Sequence, residues 1–327
     1  MFSYGMSGAG KTFTLFGPDD SDKAWQKWSE PHELWGIFPR LAYDLFGMRE
    51  QTWKFRMKYF QNVADVVRDL ISSTGEEQDY NEGMKKDIDG FMDVSWCIAA
   101  TLESWAALRE TFDKADSRKT IAPTQFNPMS TCGHCILNLV VDKPKDDDTE
   151  ARQKGRIYVC DLTGAAPDGD IFYASYKKIE LADGSIEHKL LGPHESQKLT
   201  KKLQVQHQKA NLSLSELAQC FMKMGQTLKK KIKGPRRMSS KAATPSTFLC
   251  KYLKDTMMQS QTYLFCAIRP EASYLKYTFS SLEFARSTAA KVPNFARVYT
   301  MFLNLGTRRS RLTRFLSVLK PDHNVLF

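Results

Sequence analysis

Apolar residues recur every three to four positions in several stretches, which places them on one side of a helix. Over residues 36–46 that side carries Ile37, Leu41 and Leu45, and over 101–114 it carries Leu102, Trp105, Leu108 and Phe112. Over 212–224 it carries Leu214, Leu217, Phe221 and Met224, and residues 248–258 and 274–292 also read as helices. Dense apolar runs predict strands at 54–60, 63–71, 91–98, 135–141 (CILNLVV), 156–160 (RIYVC) and 262–268 (TYLFCAI). Residues 1–15 read as a strand stub, a glycine-rich loop and a helix start. Strands interleaved with helices predict an α/β layered fold on a largely parallel or mixed sheet. The polar stretches are 18–31, 72–90, a long and partly disordered 161–209, a basic loop at 229–241 and a weakly structured basic tail at 293–327. No internal repeat is present.

Composition narrows the reading. The chain has 327 residues, 42% hydrophobic and 26% charged, enough for a sizeable core. The formal net charge of +10 favours a polyanionic partner: nucleic acid, an anionic membrane or an acidic protein surface. No nucleic-acid fold signature accompanies the charge. No apolar run approaches ~20 residues, so no membrane span is expected. The start, MFSYGMSGAGKT, has neither the basic nor the apolar region of a signal peptide. Cys132 and Cys135 form the only CxxC among seven cysteines. With no second pair to complete a zinc site, the cysteines read as reduced intracellular thiols. His188, His194 and His207 lack metal-ligand spacing, and Trp25, Trp28, Trp35 and Trp53 read as packing anchors.

The candidate chemistry begins at once. Gly5, Met6, Ser7, Gly8, Ala9, Gly10, Lys11 and Thr12 fit G-x-x-x-x-G-K-[ST] without mismatch. The glycines let backbone N–H groups turn inward around phosphate oxygens; Lys11 supplies a charge to the outer phosphates, and the Thr12 hydroxyl can ligate Mg²⁺. Asp161, Leu162, Thr163 and Gly164 follow the apolar run 156–160. An acidic residue at a strand end beside a P-loop is placed to hold Mg²⁺, and the Gly164 N–H to touch the terminal phosphate. A DxxG also occurs in P-loop GTPases, but no NKxD-type guanine motif follows Asp161.

Seven segments in order resemble kinesin motors. Residues 4–14 (YGMSGAGKTFT) are similar to the family's YGQTGSGKTxT, 36–46 (GIFPRLAYDLF) to GIIPRxxxxLF, and 59–71 (YFQNVADVVRDLI) to YxEIYNExxxDLL with Ala64 at its asparagine. Residues 124–136 (TQFNPMSTCGHCI) resemble switch I, NxxSSRSH, with Asn127, Ser130, Thr131 and His134 at family positions. Residues 161–166 (DLTGAA) resemble switch II, DLAGSE; 210–217 (ANLSLSEL) resemble the relay-helix start INKSLSAL; 263–291 resemble the closing strand and helix. The resemblance implies a P-loop ATPase motor over residues 1–292, with a mixed eight-stranded sheet flanked by helices, followed by a basic neck or tail at 293–327. It implies nucleotide contacts from residues 5–12, Phe13 and Asn127. It also implies catalytic roles for Lys11, Thr12, Ser130, Thr131, Asp161 and Gly164, and Mg²⁺ held by Thr12, Thr131 and Asp161. ATP, Mg²⁺, microtubules and a cytoplasmic, cytoskeletal location follow from it.

Three departures qualify what the resemblance implies. The strands and the adenine-contacting segment that the family places before the P-loop are absent, which predicts a sheet with unpaired backbone and exposed apolar surface. The switch I arginine and switch II glutamate, an ion pair in the family, read Cys132 and Ala166, and Gly133 replaces a serine that senses the terminal phosphate. Matched loss avoids a stranded buried charge, yet losing a proton-relay carboxylate lowers rates by ~10²–10⁴-fold. This predicts a motor that binds nucleotide and hydrolyses it slowly; the alternatives are a hydrolysis-deficient microtubule-binding protein, and a loop carboxylate such as Asp168 or Asp170 taking over. Thirdly, the microtubule-facing PYRDSKLT reads ATPSTFLC at 243–250. Just before it, Lys229, Lys230, Lys231, Lys233, Arg236, Arg237 and Lys241 run without an acid, either to attract acidic tubulin tails or as a solvated loop. Arg308, Arg309, Arg311 and Arg314 offer the same two readings. No heptad run follows residue 292, so coiled-coil dimerisation is not expected within this chain.

Overall fold

The computed structural model describes residues 1–18, 28, 30–64, 66–74, 77–79, 83–121, 131, 133–145, 148–164, 176–180, 186–232, 247–289 and 295–302. Among them, a nine-stranded mixed sheet runs in the order β13 (Phe295–Phe302), β12 (Thr262–Ile268), β1 (Phe2–Tyr4), β9 (Asp148–Asp161), β8 (His134–Lys145), β2 (Lys54–Val63), β3 (Val66–Asp69) and β4 (Glu77–Asp79). The ninth strand, β7 (Ala100–Leu102), shares the outer edge of β2 with β3. β13, β12, β1 and β9 are parallel; β8 turns antiparallel to β9 and to β2. β5 (Met84–Lys86) pairs with β6 (Met92–Val94), and β10 (Tyr176–Glu180) with β11 (Ile186–Leu190), as separate hairpins.

Alternate strand residues feed two cores, because successive side chains leave a strand on opposite faces. Phe55, Met57, Tyr59, Cys135, Leu137, Leu139 and Phe265 pack against α1 (Lys11–Phe16), α2 (Ile37–Gly47) and α3 (Trp105–Ser117). Phe60, Ile136, Cys160, Leu264 and Cys266 pack against α4 (Pro193–Ile232), α5 (Phe248–Gln259) and α6 (Leu275–Ala289). The result is a three-layer sandwich. The first core is strongly aromatic. Trp28 and Trp35 are buried; Trp105 stacks on Trp28 with ring centroids 5.9 Å apart and donates to the Trp28 carbonyl at 2.8 Å. Trp28 and Trp35 are packing anchors, as expected; Trp25 lies outside the described residues.

Several expectations change. β1 lies inside the sheet, and its partner β12 is paired on both sides, by β1 and by β13. The backbone of β12 is therefore not left unpaired, and residues 295–302 of the basic tail form a strand. Residues 193–209, expected to be polar and partly disordered, belong to α4, and 176–180 and 186–190 to a hairpin. α4 also runs through Lys229, Lys230 and Lys231, so these three stand on its last turns and not in a loop. A helix there pairs the backbone N–H groups of these residues, and Lys is a good helix former. Lys233, Arg236, Arg237, Lys241 and the tail arginines lie outside the described residues. The strand expected at 91–98 is only Met92–Val94, followed by a turn. No described helix is long and apolar enough to cross a membrane.

Candidate functional site

The glycine-rich loop and the DxxG strap meet because β1 and β9 are parallel neighbours, so their carboxyl ends open on the same side. Ligands in open α/β sheets bind outside such ends. The register pairs Ser3 with Asp161. Ser3 Oγ donates to Asp161 Oδ1 at 2.9 Å, and Thr12 Oγ1 donates to Oδ2 at 2.6 Å. The Asp161 carboxylate, almost fully buried, is thus shared by the strand that enters the loop and the helix that leaves it.

The loop itself needs its glycines. Gly8 and Gly10 have φ of 74° and 91°, the left-handed region that only glycine enters freely. Gly5 has φ 152°, and a Cβ there would lie 2.1 Å from the Ala267 carbonyl oxygen. Lys11 folds back across the loop: its Nζ donates to the carbonyls of Met6 at 2.8 Å and Gly5 at 3.2 Å. Burial lowers the Lys11 pKa to about 8, against the pull of Asp161 that raises it. This buried ammonium is held only partly compensated at the mouth of the loop. Gly164 closes the other side: a Cβ on it would meet the Ser7 nitrogen at 2.7 Å. Backbone therefore lies against backbone where loop and strap converge.

A hydrogen-bond chain leads away from the strap. The Thr163 N–H donates to His134 Nδ1 at 3.2 Å, which leaves Nε2 as the protonated ring nitrogen facing Ser213 Oγ at 2.5 Å. Ser213 Oγ donates on to the Ala210 carbonyl at 2.6 Å. Burial lowers the His134 pKa to about 3, so the ring is neutral, in accord with an N–H donor at one nitrogen and an acceptor at the other. β8, the strap and α4 are joined by this ring.

Two described residues that flank 122–130 are paired. Ile121 and Thr131 form an antiparallel bridge, and Thr163 Oγ1 donates to the Thr131 carbonyl at 3.4 Å. Upstream, Gln61 exchanges hydrogen bonds with the Thr120 backbone at 2.8 and 3.1 Å. Asn127, Ser130, Cys132, Ala166, Asp168 and Asp170 lie outside the described residues. Gly133 is described, and it is crowded: a Cβ there would lie 2.2 Å from the Asn62 carbonyl oxygen.

Lys11, Thr12, Asp161 and Gly164 are therefore brought together with residues 5–10, while the Lys229–Lys231 backbone lies on the last turns of α4. Among the described residues no group of three or more His, Cys, Asp or Glu could hold a metal by itself. A hydroxyl and a carboxylate oxygen converging at 2.6 Å fit a hard, oxygen-seeking Mg²⁺ whose remaining positions are filled by phosphate and water. Three participants were not visible in the sequence: Ser3, Ser213 and Glu216. Glu216 on α4 accepts from the Thr247 N–H at 2.8 Å and from its hydroxyl, and so caps the start of α5 from a neighbouring helix.

The family model for the kinesin motor domain matches residues 1–168, just over half of the chain. Kinesin heavy chain isoform 5A of Mus musculus is 29% identical over 170 residues, which are 50% of this chain and 15% of that protein. The kinesin heavy chain of Syncephalastrum racemosum is 26% identical over 176 residues, 52% of this chain and 17% of that one. Among solved structures, a KIF14 dimer in its two-heads-bound state with AMP-PNP on a microtubule superposes with a TM-score of 0.62 at 19% identity, covering 89% of this chain and 70% of that one. KIF14 with ADP on a microtubule gives 0.59 at 20% identity, covering 94% and 75%. Those likenesses agree with the P-loop, the strap and the three-layer mixed sheet, and the chain belongs to the kinesin motor family.

Proposed function

We propose that the chain is a kinesin-type motor unit that binds ATP with Mg²⁺, engages microtubules, and hydrolyses its nucleotide slowly. The observation that carries this reading is the convergence of Lys11, Thr12 and Asp161 at the carboxyl ends of two adjacent parallel strands. Loop amides and the Lys11 ammonium would take the phosphates, with Lys11 exchanging its carbonyl partners for phosphate oxygens. Thr12 and Asp161 would hold Mg²⁺, which neutralises charge on the outer phosphates. The Gly164 N–H, beside the Ser7 backbone, would meet the terminal phosphate. The hydrogen-bonded ring of His134 would pass any movement of the strap to α4. Slow hydrolysis rests on Cys132 and Ala166, which offer neither the ion pair nor the relay carboxylate.

Microtubule binding is supported by family membership and by the basic run that opens on the last turns of α4. A cytoskeletal location follows from the same reading. The test is ATP turnover by the purified chain with and without microtubules, together with co-sedimentation. The expected result is nucleotide binding and co-sedimentation, with turnover ~10²–10⁴-fold below motors that keep both switch residues. Filament-stimulated phosphate release at ordinary kinesin speed would reject slow hydrolysis. Absence of affinity for ATP or ADP with Mg²⁺ would overturn the whole reading.

A further inference from the structure

Cys220 on α4 and Cys250 on α5 are neighbours across the seam between two helices, both packed against the same core. Cys250 is fully buried; Cys220 is half-buried and packs against the same core from the seam's outer side. The seam is fixed one turn earlier on each helix, where Glu216 holds Thr247 by its N–H and its hydroxyl. Cys220 follows Glu216 by four residues and Cys250 follows Thr247 by three, the spacings that return to one face of a helix. Leu217, Phe221, Phe248 and Leu253, all buried, pack in the same core. Three other described cysteines are placed differently. Cys135 and Cys160 face opposite cores, and Cys160 and Cys266 are separated by β1.

We infer that Cys220 and Cys250 form a reversible disulfide that staples α4 to α5 when the chain meets an oxidised low-molecular-weight disulfide such as oxidised glutathione. The exchange balances in two steps. The Cys220 thiolate attacks one sulfur of the small disulfide, forming a mixed disulfide and expelling one thiolate. Cys250 then attacks the Cys220 sulfur and expels the second thiolate. The two protons lost by the cysteines end on the two released thiols, so two protein S–H bonds become one S–S bond while the oxidant is reduced. The hydrogen bond with Cys220, then burial and the nearby Glu216 carboxylate, push the Cys250 thiol well above its ordinary pKa. The half-buried Cys220 therefore starts the exchange, the second step is the slow one, and the pair rests in the dithiol form in a reducing compartment.

The linkage does not depend on the motor reading; its consequence does. Under the function proposed above, the staple would lock α4, which carries Lys229–Lys231 and receives the His134 contact.

The test incubates the full chain with graded ratios of oxidised to reduced glutathione, traps remaining thiols by alkylation, and maps peptides by mass. The expected result is loss of two alkylatable thiols, a Cys220–Cys250 cross-linked peptide, and full reversal by dithiothreitol. Cys220→Ser and Cys250→Ser should each abolish the cross-link. The half-buried Cys220→Ser keeps the test valid should the buried variant fail to fold. Accumulation of glutathione on Cys220 without resolution, or full alkylation of both cysteines at every ratio, overturns the proposal. Co-sedimentation with microtubules before and after oxidation reads the consequence. An altered affinity that Cys220→Ser does not display supports it, and an unchanged affinity with the cross-link present refutes the locking of α4. A reduced chain that never binds microtubules refutes the motor reading and leaves the cross-link result standing.

Discussion

His134 gives a quantitative handle on the link between the strap and α4. Its ring is held neutral with a pKa of about 3, against 6.5 when solvated, because burial disfavours the charged form. The unfolded chain therefore binds a proton below 6.5 that the folded chain refuses until about 3. The stability contributed by the neutral ring is complete above pH 6.5 and is lost as the pH falls toward 3. Between pH 7 and pH 5 that loss works out at about 2 kcal/mol, of a maximum near 5 kcal/mol for the full shift. His134→Asn removes the titration and keeps an oxygen to accept from the Thr163 N–H. It should lower stability at pH 7 by about 1–2 kcal/mol through the lost Ser213 contact, and it should also flatten the pH dependence. The assay is urea unfolding of both proteins at pH 7 and pH 5, comparing midpoints at constant slope. Every other titrating group cancels in the difference of differences. The parent should lose about 2 kcal/mol more than the variant over this interval. Identical pH dependence in the two would refute the claim that a neutral, doubly bonded imidazole joins β8, strap and α4.

Lys11, with its pKa lowered to about 8, is half deprotonated at pH 8, and phosphate oxygens would restore its charge. Calorimetry of nucleotide binding in buffers of different ionisation heat should register uptake of about half a proton at pH 8; Lys11→Ala should abolish the uptake and weaken binding by about 10–100-fold. Gly133→Ser, which restores the family residue, should destabilise by about 1–3 kcal/mol because its Cβ has no room beside the Asn62 carbonyl; an unchanged urea midpoint would contradict this. Replacing Lys229, Lys230 and Lys231 with Gln should weaken co-sedimentation with microtubules and flatten its dependence on salt; equal affinity and slope at low and high salt would remove these residues from the interface.

The helix expected at 101–114 starts only at Trp105, because Ala100–Leu102, with Leu102 of the expected stripe, pair with β2 as strand β7. The helices at 37–47, 248–259 and 275–289 were legible from their apolar residues. The first half of α4 was not. Its buried stripe continues through Thr200, Leu203, His207 and Ala210 into Leu214, Leu217 and Phe221, but Thr, His and Ala carry little hydrophobic signal. β13 contains Phe295, Val298, Tyr299 and Phe302, yet a strand draws stability from a partner and a register, and neither is written locally. The convergence of Lys11, Thr12 and Asp161 was readable because these residues sit in two contiguous motifs. Ser3, Ser213 and Glu216 act through neighbours 158, 79 and 31 residues away, a distance no local pattern spans. Ser3 is especially silent: all three residues of its strand are buried, so no alternation sets it apart.

The parallel stacking of Trp28 on Trp105, with Trp35 close by, gives the α1–α3 side of the sheet its own optical signature. Two indoles at that separation couple their excited states, so the near-ultraviolet circular dichroism of this side has a source that the α4–α6 side lacks among the described residues. Loss of that band during a slow denaturant ramp times the melting of one layer, while alkylation of Cys220 and Cys250 times the other.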